Sequence, residues 1–575
     1  MTRILGISAY YHDSAACLLE DGRPVAALQE ERFSRTKHDS QFPRQAIDAC
    51  LDIAGCQIED LDYVVFYEKP FSKFERLLET YLDHSPAGLR SYLKAMPLWL
   101  KDKLWIKDKL RRSLEFSGPL LFGDHHESHA ASAFYPSPFK SAAIYTVDGV
   151  GEWTTTSLGR GEDNRIELNQ EIRFPHSLGL LYSSFTYYLG FKVNSGEYKL
   201  MGLAPYGSPV YADQIRDELI NIQDDGAFEL NPSYFNYEVG LEMASQQFCE
   251  LFGGPPRKPS EPLTTKQKDI AASIQKVTEE VVLRTARHLH RETGEVNLCM
   301  AGGVALNCVA NGRVIRETPF ERIWVQPASG DAGGSLGAAL AVWHRYLENP
   351  RPLEDNVCDF QAGSLLGTEY SESAIEDFLK EASAVFTKPP EKELLAETAE
   401  CLSQGGVVGW YQGRMEFGPR ALGNRSILAD ARQPHMLDSV NLRIKYRESF
   451  RPFAPAVLEE DMSEYFELSH PSPYMLLVAQ VRADQRGRIP AVTHVDGSAR
   501  IQTVDRERNP RFHALLAAFK ARTGCSVVLN TSFNVRGEPI VESPAQAYRC
   551  FMRTGMDLLV LGPFVLRKAE QPTGL

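Results

Sequence analysis

Asp124-His125-His126-Glu127-Ser128-His129-Ala130-Ala131-Ser132-Ala133 holds two histidines four residues apart. On a helix that spacing puts His125 and His129 on one face, where two neutral imidazoles can grip one metal ion, while His126 points elsewhere. The competing reading is a partly buried polar face. Downstream, the apolar run Ser141-Ala-Ala-Ile-Tyr-Thr-Val147 reads as a buried strand that ends in Asp148-Gly149. Asp148 is then a candidate third ligand, or only part of a turn. A fourth candidate, Asp331, stands in Gln326-Pro-Ala-Ser-Gly-Asp331-Ala-Gly333-Gly334-Ser-Leu-Gly337, a glycine-rich turn before an Ala/Leu-rich helix that it can also cap.

A chain of 575 residues is too long for one core and predicts two or three domains. Its 62 Lys and Arg against 75 Asp and Glu give a net charge of -13, which argues against a general nucleic-acid or anionic-membrane surface. The ten cysteines form no C-x-x-C pair, and Met1-Thr-Arg-Ile-Leu-Gly-Ile-Ser8 reads as a strand rather than a secretory leader. The expectation is a cytoplasmic protein with reduced thiols. Apolar runs such as Leu558 to Leu566, broken by Gly562 and Pro563, are far too short to span a bilayer, so the chain is expected to be soluble.

Arg3 to Ala9, Ser14 to Glu20 and Pro24 to Gln29 read as a three-strand meander, with Tyr10-Tyr11-His12-Asp13-Ser14 at a hairpin tip. His12 can serve there as a general base or be an ordinary loop histidine. A helix over Pro43 to Ala54 and a strand over Asp62 to Tyr67 suggest strands with crossover helices. Ser91 to Phe116 reads as a basic amphipathic helix that packs on its own domain. In Asn194-Ser-Gly196-Glu197-Tyr198-Lys199-Leu-Met-Gly202, Glu197 or Lys199 can be the polar handle of a close-approaching backbone. A helix from Thr265 to Glu292 runs into a strand over Val296 to Ala301, which closes on Gly302-Gly303-Val-Ala-Leu-Asn307, a phosphate or adenosine cradle by its form. The proline-bearing stretch Leu347 to Asn356 marks the domain boundary.

Beyond it, isolated basic residues stand among glycines and apolar residues: Gly413-Arg414, Gly418-Pro419-Arg420-Ala-Leu-Gly423, Lys445, Arg451-Pro-Phe453 and Arg536. Planar guanidiniums with a point-charge lysine suit phosphate and carboxylate groups, although some must pair with nearby acids such as Glu416 and Glu448.

These motifs coincide in order with a family. His12-Asp13, His125-x-x-x-His129, Asp148-Gly149, Gly196-Glu197-x-Lys199-Leu-Met-Gly202, Gly302-Gly303, Asp331, Gly413-Arg414, Gly418-Pro419-Arg420-Ala-Leu-Gly423, Lys445, Arg451-Pro-Phe453 and Asn530-Thr531-Ser532-Phe533-Asn534 together resemble the ATP-dependent O-carbamoyltransferases. That family includes nodulation-factor, cephamycin and tobramycin carbamoyltransferases, and the resemblance runs over essentially the whole chain. It implies an α/β protein with an N-terminal actin-like (RNase H-like), metal-binding ATPase domain over residues 1–350. A linker over 351–362 and a YrdC-like α+β domain over 363–575 complete it.

The resemblance further implies that His125, His129, Asp148 and Asp331 hold iron, with nucleotide phosphates completing the sphere. Fe(II) is the family's metal; Zn(II) or Mn(II) suits the same donors, and Mg can accompany ATP. His12 matches the catalytic histidine near the carbamoyl group. Arg420, Lys445 and Arg451 match the carbamoyladenylate-forming pocket, with Arg414, Arg500 in Ser498-Ala-Arg-Ile-Gln-Thr503, Asn530, Thr531, Ser532 and Asn534 around carbamoyl phosphate and ATP. Asp13, Gly149, Glu197, Lys199, Gly302, Gly303 and Asn307 are the expected substrate and nucleotide contacts of the first domain. The expected partner is a small-molecule hydroxyl acceptor, a sugar or natural product as in antibiotic biosynthesis, and not a nucleic acid or a membrane. Two rival readings are a tRNA threonylcarbamoyl-type transferase and a non-enzymatic actin-like nucleotide-binding scaffold.

Overall fold

Two runs of the chain that share no obvious sequence repeat build the same sheet. In the first, β1 (Arg3–Ser8), β2 (Ala15–Glu20) and β3 (Arg23–Gln29) are joined by short turns, and β4 (Tyr63–Phe66) and β5 (Leu120–Phe122) come after helical crossovers. The strand order is β3-β2-β1-β4-β5, with β1 antiparallel to β2 and β1, β4 and β5 parallel. In the second run β6 (Ser141–Val147), β7 (Thr154–Glu162) and β8 (Arg165–Arg173) again form an antiparallel meander. A small hairpin intervenes, β9 (Ile220–Ile222) with β10 (Phe228–Leu230), and then β11 (Asn297–Ala301) and β12 (Arg322–Val325) add in parallel beside β6. The order, β8-β7-β6-β11-β12, repeats that of the first sheet. This duplicated meander with two parallel additions is the actin-like arrangement.

The computed structural model describes residues 1–352, 359–448 and 450–572. The chain divides into two compact units. Residues 1–27 and 40–360 make the first, and residues 28–39 together with 361–575 make the second. Much of the expected linker, at 353–358, lies outside the described residues. The second unit is a mixed eight-stranded sheet flanked by helices, the α+β organisation expected. Its strands are β13 (Val408–Tyr411), β14 (Arg425–Asp430), β15 (Ala454–Leu458), β16 (Leu477–Gln480), β17 (Ser498–Val504), β18 (Val527–Ser532), β19 (Leu558–Leu561) and β20 (Phe564–Arg567), in the order β16-β17-β15-β18-β14-β13-β19-β20. The apolar run Leu558 to Leu566 is thus the β19–β20 hairpin. Among the described residues no helix is long and apolar enough to cross a membrane.

One helix pair in the first unit brings distant acids and histidines together. The Asp331–Ala341 helix lies against the His125–Phe134 helix so closely that a Cβ on Gly337 would sit 1.8 Å from the carbonyl oxygen of Ser128. Only glycine permits that approach. The result is that the first residue of one helix, Asp331, stands beside the first turn of the other.

The expected single helix over Ser91 to Phe116 is two, Leu89–Lys101 and Ile106–Leu114. Asp102 leaves helical geometry, and the Trp105 indole donates to the Leu100 carbonyl at 2.8 Å, which closes the end of the first helix. Met96, Trp99, Ile106, Leu110 and Leu114 are buried against the domain, as the self-packing reading requires.

Candidate active site

Asp124, in extended conformation, starts the His125–Phe134 helix directly after β5, so His125 and His129 stack one turn apart with ring centroids 4.8 Å from each other. β6 ends against them and delivers Asp148. His125 Nε2 lies 3.2 Å from Asp148 Oδ2 and 3.8 Å from Asp331 Oδ1; His129 Nε2 lies 3.8 Å from each of the same two oxygens. One donor atom from each residue falls within 4.8 Å of all the others.

Three of the four residues are 1% exposed, and Asp148 is 9% exposed. Among the described residues, both ring nitrogens of His129 and Oδ1 of Asp331 have no hydrogen-bond partner. Buried polar atoms without partners are costly, about 1–3 kcal/mol each. Two imidazoles and two carboxylates converging on one point fit a divalent cation, which would satisfy these atoms together. Burial opposes charge on His125, but hydrogen bonds to Asp148 and Glu68 and the Asp331 charge outweigh it and raise its pKa well above the usual range. Burial likewise works to raise Asp148, and the two histidines overcome it and hold that carboxyl well below its usual range. His126 faces away, bonded to Thr146 Oγ1 at 2.7 Å.

The cluster is braced by residues that sequence reasoning does not single out. Glu68 Oε2 approaches His125 Nδ1 at 3.5 Å, the outer limit of a hydrogen bond, and pairs with Lys73 Nζ at 2.7 Å; both partners are 5% exposed. Burial alone would raise the Glu68 carboxyl, yet Lys73 and His125 bring it down to about 2. Glu152 accepts the amides of His125 at 3.2 Å and Lys69 at 2.7 Å, and the Tyr67 hydroxyl donates to Asp331 Oδ2 at 3.5 Å. Gly302 has φ of 98°, and a Cβ there would meet the Val147 carbonyl at 2.2 Å. Gly303 donates its amide to Asp148 Oδ1 at 2.7 Å. The Gly302 amide donates to the Ser329 carbonyl at 2.8 Å, so both amides of this glycine pair, expected to cradle phosphate, are engaged within the protein.

His12 lies on the rim of the cluster. Its Nδ1 is 2.9 Å from Asp13 Oδ2 and its Nε2 is 3.7 Å from Asp331 Oδ2. The tip that carries it holds Tyr10 at φ 72° and Asp13 at φ 53°, both in the left-handed region that non-glycine residues seldom occupy. Burial pulls its pKa down, but Asp331 and Asp13 lift it to about 9.

Other expected contacts of the first unit have local duties. Glu197 accepts from the amides of Asn194 and Gly196, each at 3.0 Å, and from Ser183 Oγ at 2.9 Å, so its carboxylate folds back on the loop before the Glu197–Leu203 helix. Lys199 Nζ lies 5.6 Å from the centroid of the Phe191 ring. Asn307 accepts the Ala310 amide at 3.1 Å, capping the Cys308–Glu317 helix, and bonds Gln275. The Gly149 carbonyl accepts from Ser177 Oγ at 2.6 Å.

In the second unit Lys445 sits at the C-terminal end of β18. Lys445, 3% exposed, donates to the carbonyls of Ser532 and Asn534 and to Asn534 Oδ1, the last at 2.8 Å. Burial, aided by the like charges of Arg447, Arg451 and Lys37, pushes its pKa far down. Asn530 Nδ2 donates to Gln502 Oε1 at 2.7 Å and to the Ala421 carbonyl at 3.3 Å, and Gln502 donates to the Leu422 carbonyl at 2.7 Å. The turn after Arg420 is thereby tied to β17 and β18. Arg500, half-buried, is two residues before Gln502 on β17 and so faces the same side of the sheet. Thr531 pairs with Ile427 across β14 and β18, and Ser532 Oγ meets Asn534 Oδ1 at 2.9 Å. Arg414 donates to the carbonyls of Gly367 and Leu366.

Of the acids expected to pair with arginines, Glu448 does so with Arg536 at 3.3 Å. Glu416 instead accepts the backbone amides of Leu422, Asn424 and Arg425. Arg425, which the sequence places among the same isolated arginines, turns out to bind the backbone. It is fully buried, lies 3.6 Å from the centroid of the Tyr411 ring and donates to the carbonyls of Gln412, Gly413 and Asn424, which holds the loop in shape.

Comparison with known proteins decides what this pair of sites belongs to. Residues 3–340 match the carbamoyltransferase N-terminus and residues 399–568 the carbamoyltransferase C-terminus. The chain belongs to the carbamoyltransferase family. An uncharacterized protein of Synechocystis is 57% identical to this carbamoyltransferase over 100% of the chain and 98% of its own length. Nodulation protein NolNO of Sinorhizobium fredii is 38% identical over 98% of the chain and 80% of its own length. Among solved structures, T. kodakarensis HypF is similar at a TM-score of 0.31 and 16% identity over 60% of this chain and 48% of that one. As a carbamoyltransferase, the chain is an enzyme.

Proposed function

We propose that this carbamoyltransferase works in two steps, one per unit, and carbamoylates a hydroxyl of a small sugar-like or natural-product acceptor. In the second unit, carbamoyl phosphate would lose inorganic phosphate to water, and the carbamate oxygen would attack the α-phosphorus of ATP, which gives carbamoyladenylate and pyrophosphate. Arg420, Arg451 and Arg500 supply positive charge where phosphate charge builds up, and an anion beside Lys445 would offset the burial and like charges that lower its pKa and favour its ammonium form. Arg414, Asn530, Thr531, Ser532 and Asn534 shape the loops around them. In the first unit, the acceptor oxygen attacks the carbamoyl carbon, AMP leaves, and the hydroxyl proton passes to His12 Nε2.

The observation that carries this reading is the place of His12, with Nδ1 held by Asp13 and Nε2 turned to the rim of the four-donor cluster. A base so placed contributes ~10²–10⁴-fold. It must be neutral to accept a proton. Asp331 is the chief upward influence on its pKa, and that influence weakens when the Asp331 charge is offset. His125, His129, Asp148 and Asp331 would hold the cation, which we take to be Fe(II) by family, with Zn(II) or Mn(II) suited to the same donors. When bound, it supplies orientation and polarisation of phosphate oxygens.

The test is mass spectrometry of the protein with ATP and carbamoyl phosphate and no acceptor. Carbamoyladenylate and pyrophosphate that depend on both substrates are expected. Intact ATP, or ADP alone, would overturn the two-step reading.

A further inference from the structure

The chain leaves the first unit at Leu28, and residues 28–39 pack as part of the second. This short segment carries a buried arginine whose partners are unusual. Arg32, 3% exposed, pairs with Glu31 at 2.9 Å and donates through Nη2 to Gln29 Oε1 at 2.9 Å and to the carbonyl of Gly418 at 2.7 Å. Glu31 is itself fixed, since it accepts the His38 amide at 2.8 Å. Three residues on, Arg35 donates to the carbonyls of Ile540 and Pro539, both at 2.7 Å.

One of these loops carries Arg420, and the other follows the residue that holds Lys445. Gly418 is two residues before Arg420. Its φ of 123° is open to glycine and strained for any other residue. Pro539 and Ile540 close the loop that starts at Asn534, the residue that holds Lys445. Burying an arginine already neutralised by its neighbour gains little by itself. What Arg32 adds is a charge-assisted bond to one carbonyl in a turn that only glycine enters freely, and the planar fork that makes all three contacts at once cannot be copied by a lysine.

We propose that Arg32 is a positioning residue of the second unit's anion site: by holding the Gly418 carbonyl it sets the Gly418-Pro419-Arg420 turn and so aims Arg420 at the phosphate of a carbamoyl donor. The inference rests on the role of Arg420 in the two-step reading. Arg32 itself touches no substrate in this scheme. A misplacement of about 1 Å in such a group costs on the order of 10²-fold.

The experiment uses the full chain and measures carbamoyl phosphate binding by calorimetry, with the rate of pyrophosphate release alongside. Arg32→Lys should weaken carbamoyl phosphate binding about tenfold or more. Arg32→Lys combined with Arg420→Lys should cost no more than Arg420→Lys alone, because both changes disable the same guanidinium. If Arg32→Lys does not fold, Gly418→Ala tests the same turn from its other side and should raise the dissociation constant alike. Unchanged binding in the variants, or effects of Arg32 and Arg420 that simply multiply, would overturn the proposal while leaving the two-step reading intact. A wild-type chain that does not bind carbamoyl phosphate at all would remove the reading beneath it, and the proposal with it.

Discussion

Gly303 donates its amide to one oxygen of Asp148 at 2.7 Å, and the other oxygen of that carboxylate faces His125 Nε2 at 3.2 Å. The glycine therefore orients a ligand candidate from the side remote from the cluster. A Cβ at position 303 would lie 2.8 Å from Asp148 Oδ1 and push the carboxylate away. Gly303→Ala should lower cation affinity roughly 10–100-fold, the range for losing an outer-shell support of a metal ligand. Competition with a chelator reads it; unchanged affinity would show that Asp148 is held by other means.

The two units give a reciprocal pair of outcomes. His129→Ala removes one donor of the four, so the purified protein should lose its metal and its acceptor transfer yet still release pyrophosphate. Lys445→Met keeps the volume of a buried side chain but removes the charge at the β18 loop, so pyrophosphate release should stop while metal content is unchanged. Metal analysis and a pyrophosphate assay on both variants decide it. Full metal occupancy in His129→Ala would remove His129 from the ligand set.

Glu68 and Lys73 form a buried pair beside His125. Glu68→Gln leaves the Lys73 ammonium buried without its carboxylate, which should destabilise the protein by about 3–5 kcal/mol in denaturant unfolding. Glu68→Leu with Lys73→Met, which removes both charges, should recover most of that loss. Cation affinity should stay low in the double variant even where stability returns, because Glu68→Leu removes the carboxylate that approaches His125 Nδ1 at 3.5 Å. Normal affinity in the double variant would reduce Glu68 to a packing role.

Why the cluster can be read from sequence, and Arg32 cannot, comes from the distances along the chain over which each is built. The His125 and His129 pair depends on one helical turn, and Asp148 on a strand end, so local periodicity reveals both. Asp331 needs a helix start and a glycine-rich contact, still a local pattern. Arg32 meets Gly418 across 386 residues, and nothing in the sequence around Glu31 marks that meeting. Glu197 shows the opposite failure. An acid after a glycine at a helix start looks the same whether it awaits a ligand or folds back on its own loop, and here its oxygens take local amides. The break at Asp102 escapes because the amphipathic pattern continues on both sides of it. The duplicated sheet is only half legible: the first meander is plain in its turns, whereas β11 and β12 join β6 after more than a hundred residues.

His344 gives a pH dependence remote from the metal cluster. It is 2% exposed, its Nδ1 lies 3.1 Å from the Asn349 carbonyl, and its ring is tilted 4.5 Å from the Tyr135 ring. Burial lowers its pKa to about 4 against the upward pull of the Asn349 carbonyl, and the nearby Arg351 charge adds a smaller downward push. In the unfolded chain a histidine titrates near 6.5. The folded state therefore binds fewer protons between those values, so stability is complete above about pH 6.5 and falls as pH drops towards 4. A displacement of this size corresponds to about 3 kcal/mol at its limit. His344→Phe keeps a ring against Tyr135 but cannot titrate. It should start less stable at pH 7 by about 1 kcal/mol for the lost hydrogen bond, and then lose less than the wild type between pH 6.5 and 4. Unfolding curves that run parallel for the two proteins across that window would show that His344 does not control the acid limb.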